Sequence, residues 1–242
     1  TVDDWLLAAR KCIDDIRHRN RWPIVVGGTN LYVQSLLGGF MQGPEPDLKL
    51  RAKLDALEPE QLRTELERVD PQAAGRIHYN DRRRTIRALE VHRLTGHPIS
   101  SLQGQWEAAR QPENVVLIGL EWSPEAVNRR INSRVRTMMD AGFLDEVIRL
   151  RQDGGMGLQA REALGYKQLL EHLDGTMNID QAVEQIKIRT RRFAKQQRTW
   201  LRKFRQLWGG CWIDAESNDS QSIANKALAY IDSQWKSGLN MP

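Results

Sequence analysis

The sequence predicts an α/β protein whose core is interrupted by an all-helical insertion, and three observations carry this. Apolar residues at helical spacing lead directly into Pro23-Ile24-Val25-Val26-Gly27-Gly28, a short apolar run closed by glycines, as a helix followed by a buried strand reads. Asn114-Val115-Val116-Leu117-Ile118-Gly119-Leu120 is a second apolar run of strand length. Between the two, from Gln42 to about Gln111, the pattern is helical and polar, punctuated by Pro44, Pro46, Pro59, Pro71 and Pro98, with no convincing strand. Residues 1–41 and 112–242 are therefore expected to form the α/β core with C-terminal helices, and residues 42–111 the insertion.

Taken in order, Trp5, Leu6, Ala9, Cys12, Ile13 and Ile16 define the first helix. The glycine-closed run follows as a strand. Leu31, Val33, Leu36 and Leu37 mark a second helix that begins just after Thr29 and stops at Gly38 and Gly39. Beyond the insertion and the second strand, helices are expected over Pro124 to Asp140, Phe143 to Gln152, Tyr166 to Leu173 and Ile179 to Trp208. A short strand at Cys211 to Ile213 follows.

Composition narrows the function classes. At 242 residues, 28% charged and 40% hydrophobic, the chain has the balance of a soluble domain rather than a disordered or membrane protein. No apolar run approaches the roughly 18 residues of a membrane span, and Asp3, Asp4, Asp14 and Asp15 occupy the place of a secretory leader's apolar centre. A cytoplasmic location is expected, with no membrane partner and a monomeric state. Cys12 and Cys211 are too few for a disulfide framework or a structural zinc site. The chain opens at Thr1 rather than a methionine, so a processed or truncated N-terminus is expected.

Five segments carry candidate chemistry. In Val25-Val26-Gly27-Gly28-Thr29-Asn30-Leu31-Tyr32, the glycines allow close backbone approach to a ligand and Thr29 lies at a strand's carboxyl end, where open α/β sheets bind ligands. Thr29 either faces substrate or caps the next helix. In the run Arg76 to Glu90, Arg83, Arg84 and Arg87 share one helical face near an N-terminus, where the macrodipole disfavours cations and an anion must compensate. RNA phosphate is one such anion, and Glu90 with other carboxylates is the alternative. From Ile186 to Trp208, Phe193, Trp200, Leu201, Phe204, Leu207 and Trp208 form an apolar stripe at core spacing. Nine Lys and Arg residues fill other positions there, and no acidic residue stands between Glu184 and Asp214. That imbalance favours a polyanionic partner, through residues such as Arg191, Lys195, Arg198 and Arg202. Arg130 and Arg134, one helical turn apart, suit either a diphosphate or salt-bridge partners. The fifth segment is Arg161-Glu162-Ala163-Leu164-Gly165-Tyr166-Lys167, a glycine turn entering a helix.

In this order and at these separations, Gly-Gly-Thr-x-Leu-Tyr, Arg-Ile-His-x-Asn-Asp-x-x-Arg, Ala-x-Gly-Tyr and Ala-Lys-x-Gln-x-Thr-Trp resemble the tRNA dimethylallyltransferases, or tRNA isopentenyltransferases. The match runs from Thr1 to about Asp214. The resemblance implies a P-loop NTPase-like core, incomplete here, with the helical insertion contacting tRNA. It implies transfer of a dimethylallyl group from dimethylallyl diphosphate, with Mg2+, to N6 of the adenine 3′-adjacent to the anticodon in tRNAs reading codons that begin with U. Members use an aspartate base and a Gly-x-x-x-x-Gly-Lys-[Ser/Thr] loop, both upstream of the region matched, and no such loop occurs in these 242 residues. The site residues implied are Thr29 in the reaction channel and Arg134 at the diphosphate. Thr29, Arg51, the segment Arg83, Arg84, Thr85, Ile86 and Arg87, and the segment Glu162, Ala163, Leu164, Gly165, Tyr166 and Lys167 are implied at tRNA, which Arg191, Lys195 and Arg198 join on charge. Gln196 stands where the last motif usually has arginine, and Arg82 where proline is common. The other readings are a tRNA-binding fragment without activity and a P-loop kinase-like enzyme acting on a small nucleotide.

Overall fold

The computed structural model of the protein describes residues 2–39, 43–102 and 115–236. These form two compact units, residues 1–25 with 31–113 and residues 26–30 with 114–242. Residues 2–25 and 31–39 thus group with the helical segment, whereas the sequence pattern set them with the later part of the chain. The expected boundaries at Gln42 and Gln111 lie outside the described residues.

The first unit has helices and no strand among its described residues: α1 (Val2–His18), α2 (Asn30–Gly38, which begins in the other unit), α3 (Leu48–Asp55), α4 (Pro59–Val69), α5 (Pro71–Arg76) and α6 (Arg82–Thr95). Two of the punctuating prolines, Pro59 and Pro71, start helices at their first positions, where a missing N–H costs nothing. Asp47, Asp70 and Asp81 accept hydrogen bonds from the first-turn amides of α3, α5 and α6. Leu54, Leu62, Leu66, Ile86, Leu89 and Val91 pack the core of this unit. Trp5 of α1 meets Tyr32 of α2 with ring centroids 5.1 Å apart.

The second unit holds β1 (Ile118–Glu121), α7 (Pro124–Asp140), α8 (Phe143–Gln152), α9 (Leu158–Arg161), α10 (Tyr166–Leu173), α11 (Ile179–Trp208), β2 (Cys211–Asp214) and α12 (Ser220–Lys236). β1 and β2 pair in parallel, Ile118 beside Cys211 and Glu121 beside Asp214. The Trp212 ring stands against Gly119, where a Cβ would come within 2.3 Å of it. Ile131 and Val135 of α7, Phe143 and Val147 of α8, Leu169 and Leu170 of α10, and Ala182 and Ile186 of α11 form the core. The architecture is therefore helical with a small parallel sheet.

Three expectations are corrected. Residues 23–28 are not a strand: they pair with no described strand, and Ile24 and Val26 are 82% and 89% exposed, because a strand is stabilised by pairing rather than by its own apolar content. The strand expected from Asn114 is confined to Ile118–Glu121. In α11, Phe204 and Trp208 are buried and stacked at 4.7 Å, but Phe193 and Leu207 are about half exposed and Trp200 only partly buried. A 30-residue helix is about 45 Å long and outruns the core it packs against.

Candidate nucleic-acid interface

Thr29 stands between the glycine pair and the first residue of α2. Its side chain is exposed and makes no hydrogen bond to a described residue, so its hydroxyl is not engaged as a helix cap. The turn is fastened to the middle of α11. Gln197 Nε2 donates to the Gly28 carbonyl at 2.8 Å, and Asn30 Nδ2 donates to the Gln197 carbonyl at 3.4 Å.

The charge of α11 divides into spent and unspent cations. Arg191 donates to Glu184 at 2.9 Å and to Asn132 at 3.1 Å, Lys187 approaches Glu184 at 3.4 Å, and Arg205 reaches Glu121 at 2.6 Å. The hydrogen bond from Arg191, partly opposed by burial, and the contact with Lys187 hold the Glu184 carboxyl below the ordinary range. Lys203 sits over the Trp200 ring at 5.4 Å. Arg189, Arg192, Lys195, Arg198 and Arg202 have no carboxylate partner among the described residues. Arg191, Lys195, Arg198 and Arg202 recur every three to four residues, so they form one stripe along the helix. Three of its four charges are unspent.

On α7, which packs against α11, the two arginines part company. The Arg130 guanidinium lies 4.4 Å over the Trp122 ring, whereas Arg134 is exposed and without a partner among the described residues. In the segment from Glu162 to Lys167, Lys167 Nζ pairs with Glu162 at 2.6 Å and the Tyr166 hydroxyl donates to Glu146 at 2.5 Å. That hydrogen bond to a carboxylate, with burial and the carboxylate's charge, raises the Tyr166 pKa. Gly165 has φ 99°, and a Cβ there would meet the Phe143 ring at 2.9 Å; both facts require glycine. Ala163 and Leu164 are exposed beside it.

The arginines of the helical unit find an anion inside the protein. Glu90 is fully buried and accepts from Arg51 Nε and Nη2 at 2.8 and 2.9 Å, from Arg87 Nη1 at 2.6 Å and from the Asp47 N–H at 2.9 Å. Arg87 Nη2 also donates to the Pro44 carbonyl at 3.1 Å. Arg84 lies 3.4 Å from Asp81, and Arg83 is exposed with no partner among the described residues. Thr85 and Ile86 are 4% and 8% exposed and belong to the interior. Of the residues expected at tRNA in this segment, Arg83 and Arg84 present themselves most fully to solvent.

The model of the IPP transferase family matches residues 1–204. The chain belongs to the IPP transferase family. It is 39% identical to a tRNA dimethylallyltransferase of Anoxybacillus flavithermus, with 100% of this chain and 77% of the relative aligned. Its fold is similar to a tRNA isopentenylpyrophosphate transferase of Staphylococcus epidermidis, at TM-score 0.63 and 30% identity, covering 97% of this chain and 76% of that one. It is also similar to a eukaryotic dimethylallyltransferase acting on tRNA, at TM-score 0.77 and 25% identity, over 96% of this chain and 62% of that one.

Two residues of this IPP transferase chain were not placed in a site by the sequence: Glu90, offered there only as an alternative anion for the arginines, and Gln197, present there only as the glutamine of the Ala-Lys-x-Gln-x-Thr-Trp motif. Glu90 is the acidic residue three positions after Arg87, and that i, i+3 spacing was its available signal. Gln197 is a polar residue seated at an apolar-stripe position, four after Phe193 and seven before Phe204. A polar side chain in such a place needs a partner, and Gly28 supplies it.

Proposed function

We infer that this chain is a tRNA dimethylallyltransferase, moving the dimethylallyl group of dimethylallyl diphosphate to N6 of the adenine 3′-adjacent to the anticodon in tRNAs reading codons that begin with U. The observation that carries the reading lies within one unit: a threonine hydroxyl with no hydrogen bond to a described residue, on a turn fastened to a helix whose cation stripe is largely unspent among the described residues. The stripe suits the phosphates of an anticodon stem-loop, and phosphate contacts position a nucleic acid without reading it. The target base leaves its stack to reach the turn. The fold reading that accompanies this is a P-loop-like core carrying a helical insertion.

In the reaction the carbon–oxygen bond to diphosphate breaks, a nitrogen–carbon bond to the amine forms, and the amine releases a proton. Negative charge grows on the diphosphate, so a guanidinium such as Arg134 stabilises the transition state more than the ground state. Thr29 accepts from or donates to the amine and orients it. The proton acceptor is the aspartate that the family pattern implies. Among the described residues no three His, Cys, Asp or Glu side chains come together as a metal cage. Magnesium, which would neutralise diphosphate charge when bound, belongs in this reading with the diphosphate and its water shell.

The test is incubation of the full-length protein with labelled dimethylallyl diphosphate, magnesium and tRNA, followed by nuclease mapping. Label on the adenine beside the anticodon is expected. Tight tRNA binding with no label transferred would overturn the reading.

A further inference from the structure

We propose that Gln197 is a positioning residue for the transfer site, clamping the turn that carries Thr29 to the basic helix. The inference rests on the functional reading above and deepens it. Its basis is a two-way attachment within one unit. The Gln197 side-chain amide donates to the Gly28 carbonyl at 2.8 Å, and the Gln197 main-chain carbonyl receives Asn30 Nδ2 at 3.4 Å. Thr29 lies between those two anchor points. Asn30 is only 5% exposed, so its amide needs a partner inside the protein.

The close approach at Gly28 agrees with this attachment. The Gly28 φ lies outside the left-handed region, so backbone freedom is not the reason for glycine here. A Cβ at position 28 would stand 2.2 Å from Gln197 Nε2 and 3.2 Å from its Cδ. The space a side chain would occupy is the space the glutamine amide fills, so a side chain at position 28 would push that amide out of its place.

The consequence for the reaction is geometric. Gln197 faces the turn, while Lys195 and Arg198 leave the same helical turn in other directions, successive residues being roughly 100° apart. RNA gripped by those cations and the hydroxyl of Thr29 then share one rigid frame. Loss of the clamp frees the hydroxyl from that frame without removing a phosphate contact, and small misplacements of reacting groups are costly in rate.

The experiment uses the full-length protein and two variants that break the same bond from opposite sides. Gln197→Met keeps length and volume but removes the donor. Gly28→Ala keeps the donor but displaces it. Each variant should lower the single-turnover transfer rate about tenfold, with tRNA Kd within about twofold of the parent and little change in Tm. Hydrogen exchange at the Thr29 and Asn30 amides should accelerate in both. The double variant should be no slower than the slower single variant, since coupled partners are not additive. Unchanged rates, additive losses, or a rate loss tracked by equal losses of tRNA affinity and Tm would overturn the proposal alone. A parent protein that transfers nothing to tRNA overturns the functional reading and this inference with it.

Discussion

Replacing Glu90 by alanine should uncouple two arginines from the fold of the helical unit. The buried carboxylate accepts hydrogen bonds from Arg51, Arg87 and the Asp47 N–H. Removing one partner of a buried ion pair costs about 3–5 kcal/mol. Here the Arg51 and Arg87 side chains are 38% and 31% exposed, so both regain water when the carboxylate goes, and a loss of about 2–3 kcal/mol is expected. Glu90→Gln retains an acceptor oxygen and should lose less, about 1–2 kcal/mol. Urea denaturation at pH 7 measures both, and an alanine variant within about 0.5 kcal/mol of the parent would refute the reasoning. The pH dependence is a second handle. Burial works to raise the Glu90 pKa, but the hydrogen bonds from Arg51, Arg87 and the Asp47 N–H, with the Arg51 charge, hold it below the ordinary value. A carboxyl depressed in the folded state stabilises it fully above the unfolded value, roughly pH 4.3, and that stabilisation is lost as pH falls through the folded value. The stability gap between parent and Glu90→Gln should stay level from pH 7 to about pH 5 and close below it. A gap that widens on acidification would contradict the assignment.

Three further outcomes are expected. Thr29→Ala should lower the single-turnover rate about tenfold, or about 1.4 kcal/mol; because the hydroxyl makes no hydrogen bond to a described residue, its Tm should match the parent's, and a lowered Tm at unchanged rate would make Thr29 structural. Removing Lys195, Arg198 or Arg202 should each reduce the slope of log tRNA affinity against log salt by roughly 0.7 to 0.9, whereas Lys187→Ala, whose charge is matched by Glu184, should leave it near the parental value. Phe204, 1% exposed and stacked on Trp208, should cost about 3–5 kcal/mol when cut to alanine, and the partly buried Trp200 less; thermal melts that rank them the other way would misplace the core of α11.

Four of the helices between Pro124 and Trp208 were legible because each carries its own period and its own punctuation, whereas the four-residue α9, too short to show a period, was not. Ser123 and Asn178 cap α7 and α11 through first-turn amides, and such local signals need no knowledge of the rest of the fold. The run Ile24-Val25-Val26 has strand composition but pairs with no described strand, and pairing is a property of the neighbour, which a run of residues does not encode. Residues 220–236 went unread as helix because their apolar content is diluted: Leu228 is 57% exposed, and a weakly amphipathic segment leaves little periodic signal.

The site shows the same division between what a residue is and what it is next to. Counting charge found α11, because nine cations without an intervening carboxylate stand out in any window. Counting could not say which were spent. Glu121 neutralises Arg205 from 84 positions away, and Glu90 satisfies Arg51 across 39. Arg189, Arg192, Lys195, Arg198 and Arg202 on α11, with Arg134 on α7 and Arg83 on α6, have no carboxylate partner among the described residues and so have charge to give a phosphate. A surface arginine already holding a carboxylate gains little from an RNA phosphate, since it must surrender one anion to take the other. Loss of tRNA affinity on mutation should therefore follow this partition rather than the sequence density of basic residues.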